Sequence, residues 1–349
     1  MNISENLTAL PSLVRPVRAL LAGLFVSALT AFAVSAQAAT LKIATLSPEG
    51  SSWMELLRKG AREIEQDTDG RVNFKFYPGG VMGDDKAVLR KIRLGQLHGA
   101  VLTVGGLVQT YPDIQLYGLP LVFESYDEVD YVREHLDARL MEGLEEQGYV
   151  AFGFAEVGFA LAMSKNPVTS VADVQAQRVW TPDGDPGSAR ALESFDVSPI
   201  PLAIADVLSG LQTGLINGVA VPPVAAIALQ WHTQLAYVMD LPLLYVYGPP
   251  VVARRAFERL SPEDQRVVRR VMGEVVEEVN DRARRHHADA LKALLAQGLE
   301  QTRPTPAEIE EWRSYARRAN RELVDEGLVS EDLKQRLDTL LEEHRSGLD

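Results

Sequence analysis

The chain has 349 residues, no cysteine and a formal net charge of −13, with 48 acidic residues against 35 basic ones. Lack of cysteine excludes a disulfide framework, a thiol nucleophile and a thiolate metal site. The acidic excess argues against nucleic acid or an anionic membrane as partner, while 46% hydrophobic residues can fill cores of ordinary domain size.

Arg15 and Arg18 precede a mostly apolar run at 19–34, which is followed by Ser-Ala-Gln-Ala-Ala. A charged segment, an apolar segment and small residues at a cleavage point read as a secretory signal over residues 1–38, so the expected location is the periplasm. A retained anchor is the competing reading, but the run is shorter than the roughly 20 residues that span a bilayer. No stable membrane insertion is expected after cleavage. Residues 1–38 carry one net positive charge, which leaves about −14 on the remainder.

Residues 41–47 alternate as a strand, Pro48 and Gly50 end it, and Ser51 or Ser52 caps a helix over 52–68. Asp69-Gly70 turns into a second strand in which Val72, Phe74 and Phe76 alternate with polar residues. A glycine-rich loop, a helix capped by Asp84 or Asp85 and a strand over 99–104 complete a strand–helix alternation. That order indicates a parallel sheet with right-handed crossovers. Helices are expected at 126–134 and 138–147, strands at 149–156 and 159–163, and a capped helix before a strand at 178–180. A loop over 183–187 feeds a helix at 188–195. Residues 225–234 read as helix and 241–253 as extended. From Ser261-Pro262 one helical pattern runs for more than thirty residues, and two terminal helices follow at 308–326 and 331–345.

Two stretches 119 positions apart repeat one local architecture: VLRKIRLGQLHGAVL (88–102) and VLSGLQTGLINGVAV (207–221). Each reads as an amphipathic helix stopped by glycine (Gly95, Gly214), a short turn, and a strand opening on Gly99 or Gly218. Such a repeat points to two α/β lobes built alike, with a cleft between them for a small molecule.

The order YPGGVMGDDKAVLRKIRLGQLHGAV, LPLVF, VADVQAQRVWTP, SPIPLAIADVLSGLQTGLINGVAVPP and FERLSPEDQ resembles the solute-binding subunit of a tripartite ATP-independent periplasmic (TRAP) transporter of the DctP type. The resemblance runs from residue 41 to about 298. It implies an α/β, two-lobed periplasmic-binding-protein-like fold, each lobe a sheet flanked by helices, with a long helix spanning both. On that pattern lobe I holds 39–156 plus 245–283, and lobe II holds 157–244 plus 284–349. It also implies ligand capture by hinge closure and delivery to small and large membrane permease subunits driven by an ion gradient. The ligands of such proteins are mostly small organic carboxylates.

The chain departs from the pattern it resembles. The arginine that forks onto the substrate carboxylate is replaced by Trp180, with Arg178 two residues earlier on the same strand face. Arg178 either reaches the cleft or takes the place of a surface lysine. A second arginine is replaced by Ala160 and an amide position by Val221. The expected ligand-binding residues are Trp53, Thr103, Glu156, Phe159 and Arg178, together with Trp180, Asp183, Val221 and Tyr247. That lining suits a solute with apolar surface, or with a hydroxyl or amine, over a bare dicarboxylate.

No catalytic residue, cofactor or metal site is expected. His98 and His232 have no ligand-spaced partners, His286 and His287 face apart, and no serine sits in a nucleophile elbow. Asp183-Gly-Asp185 lacks the ligand count of a calcium loop, and Gly79-Gly80 reads as a turn. A receptor for a membrane sensor kinase or chemoreceptor is the alternative function, and an exported hydrolase or lyase a lesser one.

Overall fold

A computed structural model describes residues 38–347; the signal segment expected over 1–38 lies outside them apart from its last residue. In chain order the first elements are β1 (Ala39–Thr45), α1 (Ser52–Asp67), β2 (Val72–Tyr77), α2 (Asp85–Arg93), β3 (Gly99–Val101) and the short α3 (Val104–Leu107). A 3-10 segment, Pro112–Gly118, leads to α4 (Tyr126–Glu146), β4 (Tyr149–Ala151) and β5 (Ala155–Ser164). Next come α5 (Val171–Gln175), β6 (Trp180–Pro182), α6 (Pro186–Ser194), β7 (Ile200–Leu202), α7 (Val207–Thr213), β8 (Gly218–Val221) and α8 (Pro223–Ala228). The remainder is β9 (Tyr237–Met239), β10 (Leu244–Gly248), β11 (Pro250–Ala253), α9 (Arg254–Phe257), α10 (Pro262–Ala296), β12 (Glu300–Thr302), α11 (Pro306–Asp325) and α12 (Glu331–Ser346).

The described strands form two five-stranded sheets, with a separate parallel pair, β6-β7, beside the second; the buried apolar side chains make one core on the first sheet and two clusters around the second. The first has the order β2-β1-β3-β11-β4, with β1 parallel to β2 and β3, and β11 inserted antiparallel. The second is assembled around β5, whose inner half, 161–164, pairs with β8 and β9, while β12 lies parallel beside β9. The outer half of β5 pairs antiparallel with β10 and packs Phe159 against the first core, alongside Tyr245 and Tyr247. The chain thus crosses between the cores on β5 and returns on β10 directly into β11. The 35-residue α10 lies along both: Val268, Val271, Val275 and Val279 fill the first core and Leu294 the second. At 1.5 Å per residue such a helix is about 50 Å long, longer than either sheet needs.

Local chemistry explains most boundaries. Ser51, Asp84, Ser125, Ser170, Asp185, Ser261 and Thr305 each accept a hydrogen bond from a first-turn amide of the helix that follows, and Ser170 and Thr305 form capping boxes with Asp173 and Glu308. The repeated glycines behave alike at their helix ends: Gly95 has φ 75° and Gly214 φ 74°, the left-handed region that glycine enters at no steric cost.

Several boundaries differ from the sequence pattern. Helix α4 is unbroken where two helices were expected, because the polar residues at the supposed break are bonded: Arg133 reaches Asp137 one turn on at 3.0 Å, and the Tyr117 hydroxyl donates to Asp137 at 2.9 Å. Strand β3 stops at Val101, since the Thr103 hydroxyl accepts from the Gly106 amide at 3.3 Å and starts α3. The strand expected at 178–180 begins only at Trp180, with Val179 bridged to Gly218. Residues 149–156 split into β4 and the start of β5, and α8 ends at Ala228 before a separate 3-10 turn. Helix α12, grouped in sequence with the second lobe, seats Leu333, Leu337, Leu340 and Leu341 in the first core, against α4. None of the described helices is long and apolar enough to cross a membrane.

The matched strand-opening glycines carry unequal loads. A Cβ on Gly99 would run into the Val251 carbonyl oxygen of β11, which is backbone and cannot yield, whereas one on Gly218 would meet only the Gln177 and Val179 side chains at 3.6–3.9 Å. Gly99→Ala is expected to cost about 1–3 kcal/mol in urea unfolding of the mature chain, as overpacking does, with Gly218→Ala changing the midpoint little.

Candidate functional site

Between the two cores lies a cavity of about 400 Å³. Its walls come from both sides: Thr45 and Val101 of the first sheet with Trp53 of α1 and Thr103 at the start of α3; Met163, Val219 and Val221 of the second sheet with Val179 and Trp180 at β6; and Val275 and Val279 of α10 along one side. The edge of β10 closes it through Tyr245 and Tyr247. A volume of this size accommodates a small organic molecule.

Six of the residues singled out in the sequence line this space: Trp53, Thr103, Glu156, Trp180, Val221 and Tyr247. Trp180 is buried on β6; its indole N–H donates to the Leu202 carbonyl at 3.0 Å, and its ring meets Trp231 edge-on at 5.1 Å. This fixes the indole face as a rigid apolar wall. Tyr247 is fully enclosed, donates its hydroxyl to the Ile114 carbonyl and stacks on Tyr245 at 5.6 Å, so its ring forms wall while its polar end is already satisfied. Thr103 both caps α3 and donates to Asp85 at 2.5 Å.

Glu156 has no solvent-exposed surface. Its Oε2 accepts from the Tyr245 hydroxyl at 2.9 Å and from Arg284 of α10 at 3.1 Å, and its backbone amide donates to Asn280 Oδ1 at 2.7 Å. Burial pushes its carboxyl above the ordinary glutamate range despite the opposing pull of Arg284. Its other oxygen, Oε1, has no partner.

Three expected residues lie elsewhere. Phe159 turns into the first core, 4.8 Å from the Tyr126 ring, because the outer half of β5 faces α4 there. Arg178 precedes β6 instead of lying on it; it is exposed and donates Nε to the Gly214 carbonyl at 3.0 Å, closing the end of α7. Asp183 is exposed beyond the end of β6 and pairs with Lys86 of α2 at 3.1 Å, a link between elements that belong to different sheets. Sequence reasoning passed over Thr181, Asp185, Trp231 and Met163, all of which line the cavity. For Asp185 the signal was present: Asp-Pro is a helix-opening pair, and Asp185 caps α6 by accepting from the Ser188 amide at 3.0 Å.

The residues now in place are wall-formers and hydrogen-bonding groups; among the described residues no cluster of three His, Asp or Glu gathers as a metal would require. The model of the bacterial extracellular solute-binding protein family 7, DctP, matches residues 43–326. The chain belongs to that family. Curated relatives include a solute-binding protein of Roseobacter denitrificans, 25% identical over 72% of this chain and 78% of its own. The 2,3-diketo-L-gulonate-binding periplasmic protein YiaO of Escherichia coli is 24% identical over 72% and 77%, and the C4-dicarboxylate-binding periplasmic protein DctP of Rhodobacter capsulatus is 23% identical over the same shares. Among solved structures, the Ralstonia eutropha TRAP solute-binding protein with bound (S)-2-acetolactate superposes with a TM-score of 0.81 at 21% identity, over 87% of this chain and 99% of that one. The Bordetella pertussis receptor DctP7, which binds pyroglutamic acid, gives 0.80 at 17% over 87% and 100%. This DctP-family member is the solute-binding subunit of a TRAP transporter and works in the periplasm.

Behind Thr103, the half-buried Asp85 carboxyl is pushed up to about 6, chiefly by burial, with the Asp84 and Asp185 carboxylates adding to the rise against the Thr103 hydrogen bond. Its folded value lies above the unfolded one, so folding takes up a proton between about pH 4 and pH 6. The group's penalty is absent below that window and complete above it. Asp85→Asn is therefore expected to gain roughly 2 kcal/mol on the wild type between pH 4 and pH 7, read from urea unfolding at each pH.

Proposed function

We propose that this receptor captures a small organic solute in the cavity between its two sheets, closes over it by bending at the β5–β10 crossing, and hands it unchanged to the small and large permease subunits. The observation that carries the reading is the position of the cavity, walled by both cores and flanked by the segments that join them: β5, β10 and α10. Two bodies joined by a narrow paired ribbon and one helix can rotate about it without disturbing either core.

The proposed bodies follow the cores. One carries the first sheet with residues 39–156, 245–283 and the terminal helix, the other the second sheet with 157–244 and 284–330. Helix α12 travels with the first body because its leucines are seated there. The Lys86–Asp183 pair then joins the two bodies at the cavity mouth, where it adds to the closed state less than about 1 kcal/mol, as an exposed pair does. Four of the relatives named above carry an organic acid in their name or structure, and a molecule of similar size is the cargo proposed here. Binding without conversion fits a lining in which, among the described residues, the carboxylates Glu156 and Asp185 are held by structural partners.

Native mass spectrometry of the purified mature protein is expected to reveal a bound small molecule. Adding that molecule to stripped protein should shrink the radius of gyration measured by X-ray scattering. An unchanged radius at saturation rules out closure, and release of a chemically altered molecule rules out the receptor reading.

A further inference from the structure

Beside the cavity the two bodies touch along a short seam, where the 3-10 segment, α2 and α3 of the first meet the loop after β6 and helix α6 of the second. At its centre each body presents a glycine to a polar side chain of the other. Gly105 of α3 faces Asp185, and Gly187 of α6 faces Gln115. Both glycines are buried, and all four residues line the cavity. At the exposed rim Lys86 of the first body reaches Asp183 of the second at 3.1 Å.

The fit leaves no room for a β-carbon. One added to Gly105 would stand 2.7 Å from Cβ, Cγ and Oδ2 of Asp185, and one added to Gly187 would run into Gln115 Oε1. Neither obstacle is free to swing aside. Asp185 accepts from the Ser188 amide at 3.0 Å and from the Ser188 hydroxyl at 2.6 Å, one bond to each of its oxygens. Gln115, 7% exposed, donates Nε2 to the Leu328 carbonyl in the link between α11 and α12. The backbone itself does not ask for glycine at either place. Both residues sit in helices without a left-handed φ, where alanine is the better helix former. The three nearest obstacles to each added carbon all belong to the opposite body, so the crowding exists only while the bodies are together.

We propose that this seam is the contact on which the receptor shuts: the bare backbone of Gly105 and Gly187 lets Asp185 and Gln115 seat, and a methyl group at either glycine holds the mouth ajar. The inference rests on the closing motion proposed above and assigns the residues that limit it. Gly99 makes the contrast. Its obstacle lies in its own sheet, so a methyl there weighs on folding, whereas at the seam it weighs on capture.

The test uses mature protein stripped of bound solute. The probes are the small-molecule fraction released from the purified wild type, (S)-2-acetolactate and pyroglutamate. X-ray scattering is expected to show the wild type compacted by at least one probe, with Gly105→Ala and Gly187→Ala staying at the radius of the stripped protein. A defined acid that compacts the wild type should bind each variant at least about tenfold more weakly in calorimetry, since apparent affinity scales with the fraction able to close. The stripped variants should unfold in urea at or above the wild-type midpoint. Gly187→Ala combined with Gln115→Ala should regain compaction, a rescue that damage to one body would not give. Variants that compact like the wild type overturn the proposal and leave the motion standing. Failure of Gln115→Ala to rescue overturns it too, as does a lowered urea midpoint in both single variants. A wild type that no probe compacts removes the closing motion, and this seam with it.

Discussion

The chain leaves the first core on β5 and returns on β10, and because these strands pair with each other the whole passage is one two-stranded ribbon. The pairing is irregular where Tyr247 faces Glu156, and it is there that the ribbon buries its charge. A carboxylate with no solvent contact must be neutralised, and the sequence supplies Arg284 from α10 and the Tyr245 hydroxyl from the partner strand. Arg133 then bonds that same tyrosine at 3.1 Å, the Phe154 carbonyl at 2.8 Å and Asp137, which in turn accepts from Tyr117. A cluster of this kind adds little net stability, since desolvation offsets the attraction, but removing one member strands the others at roughly 3–5 kcal/mol. Its effect is geometric: α10, α4 and both crossing strands are locked in one arrangement at the edge of the cavity.

That constraint accounts for the electrical character of the interior. The arginines close to the cavity are consumed by the crossing, and many others are spread over helix surfaces, as in Arg270 with Glu63, Asp67 and Glu274, or Arg190 with Glu322 and Glu326. Exposed pairs of this sort contribute less than about 1 kcal/mol each. They do leave a strongly acidic molecule with an interior crevice that holds no free cation among the described lining residues.

The helices, the parallel β1-β2-β3 core and the long α10 were legible in the sequence because their signals are local: caps, periodic apolar positions, and glycine where the backbone turns left-handed. The repeat around Gly95 and Gly214 was readable for the same reason. The insertion of β11 between β3 and β4 was not, since partners about 150 and about 100 residues away leave no mark on a strand's own pattern. In the site, Trp53, Trp180 and Val221 followed from the resemblance, which fixes position in the fold. Of the two readings open for Arg178, the surface contact matches its position: the strand starts two residues later, at Trp180, and exposed Arg178 bonds the end of α7. Thr181 was invisible because only the packed interior places it in the cavity wall. Asp183 finds Lys86 from another element altogether.

Helix α10 is gripped at two places. Val268 through Ala283 lie buried along the first core, and Ala290 and Leu294 return to the second, while of 285–289 only His287 is even partly shielded. A rod clamped at both ends by bodies that swing apart has to give somewhere along its length. The turn and a half over 285–289, exposed apart from His287 against the Tyr126 ring, is the most lightly packed stretch and the one where curvature can change at least cost, so the same helix that ties the halves together can also act as their spring.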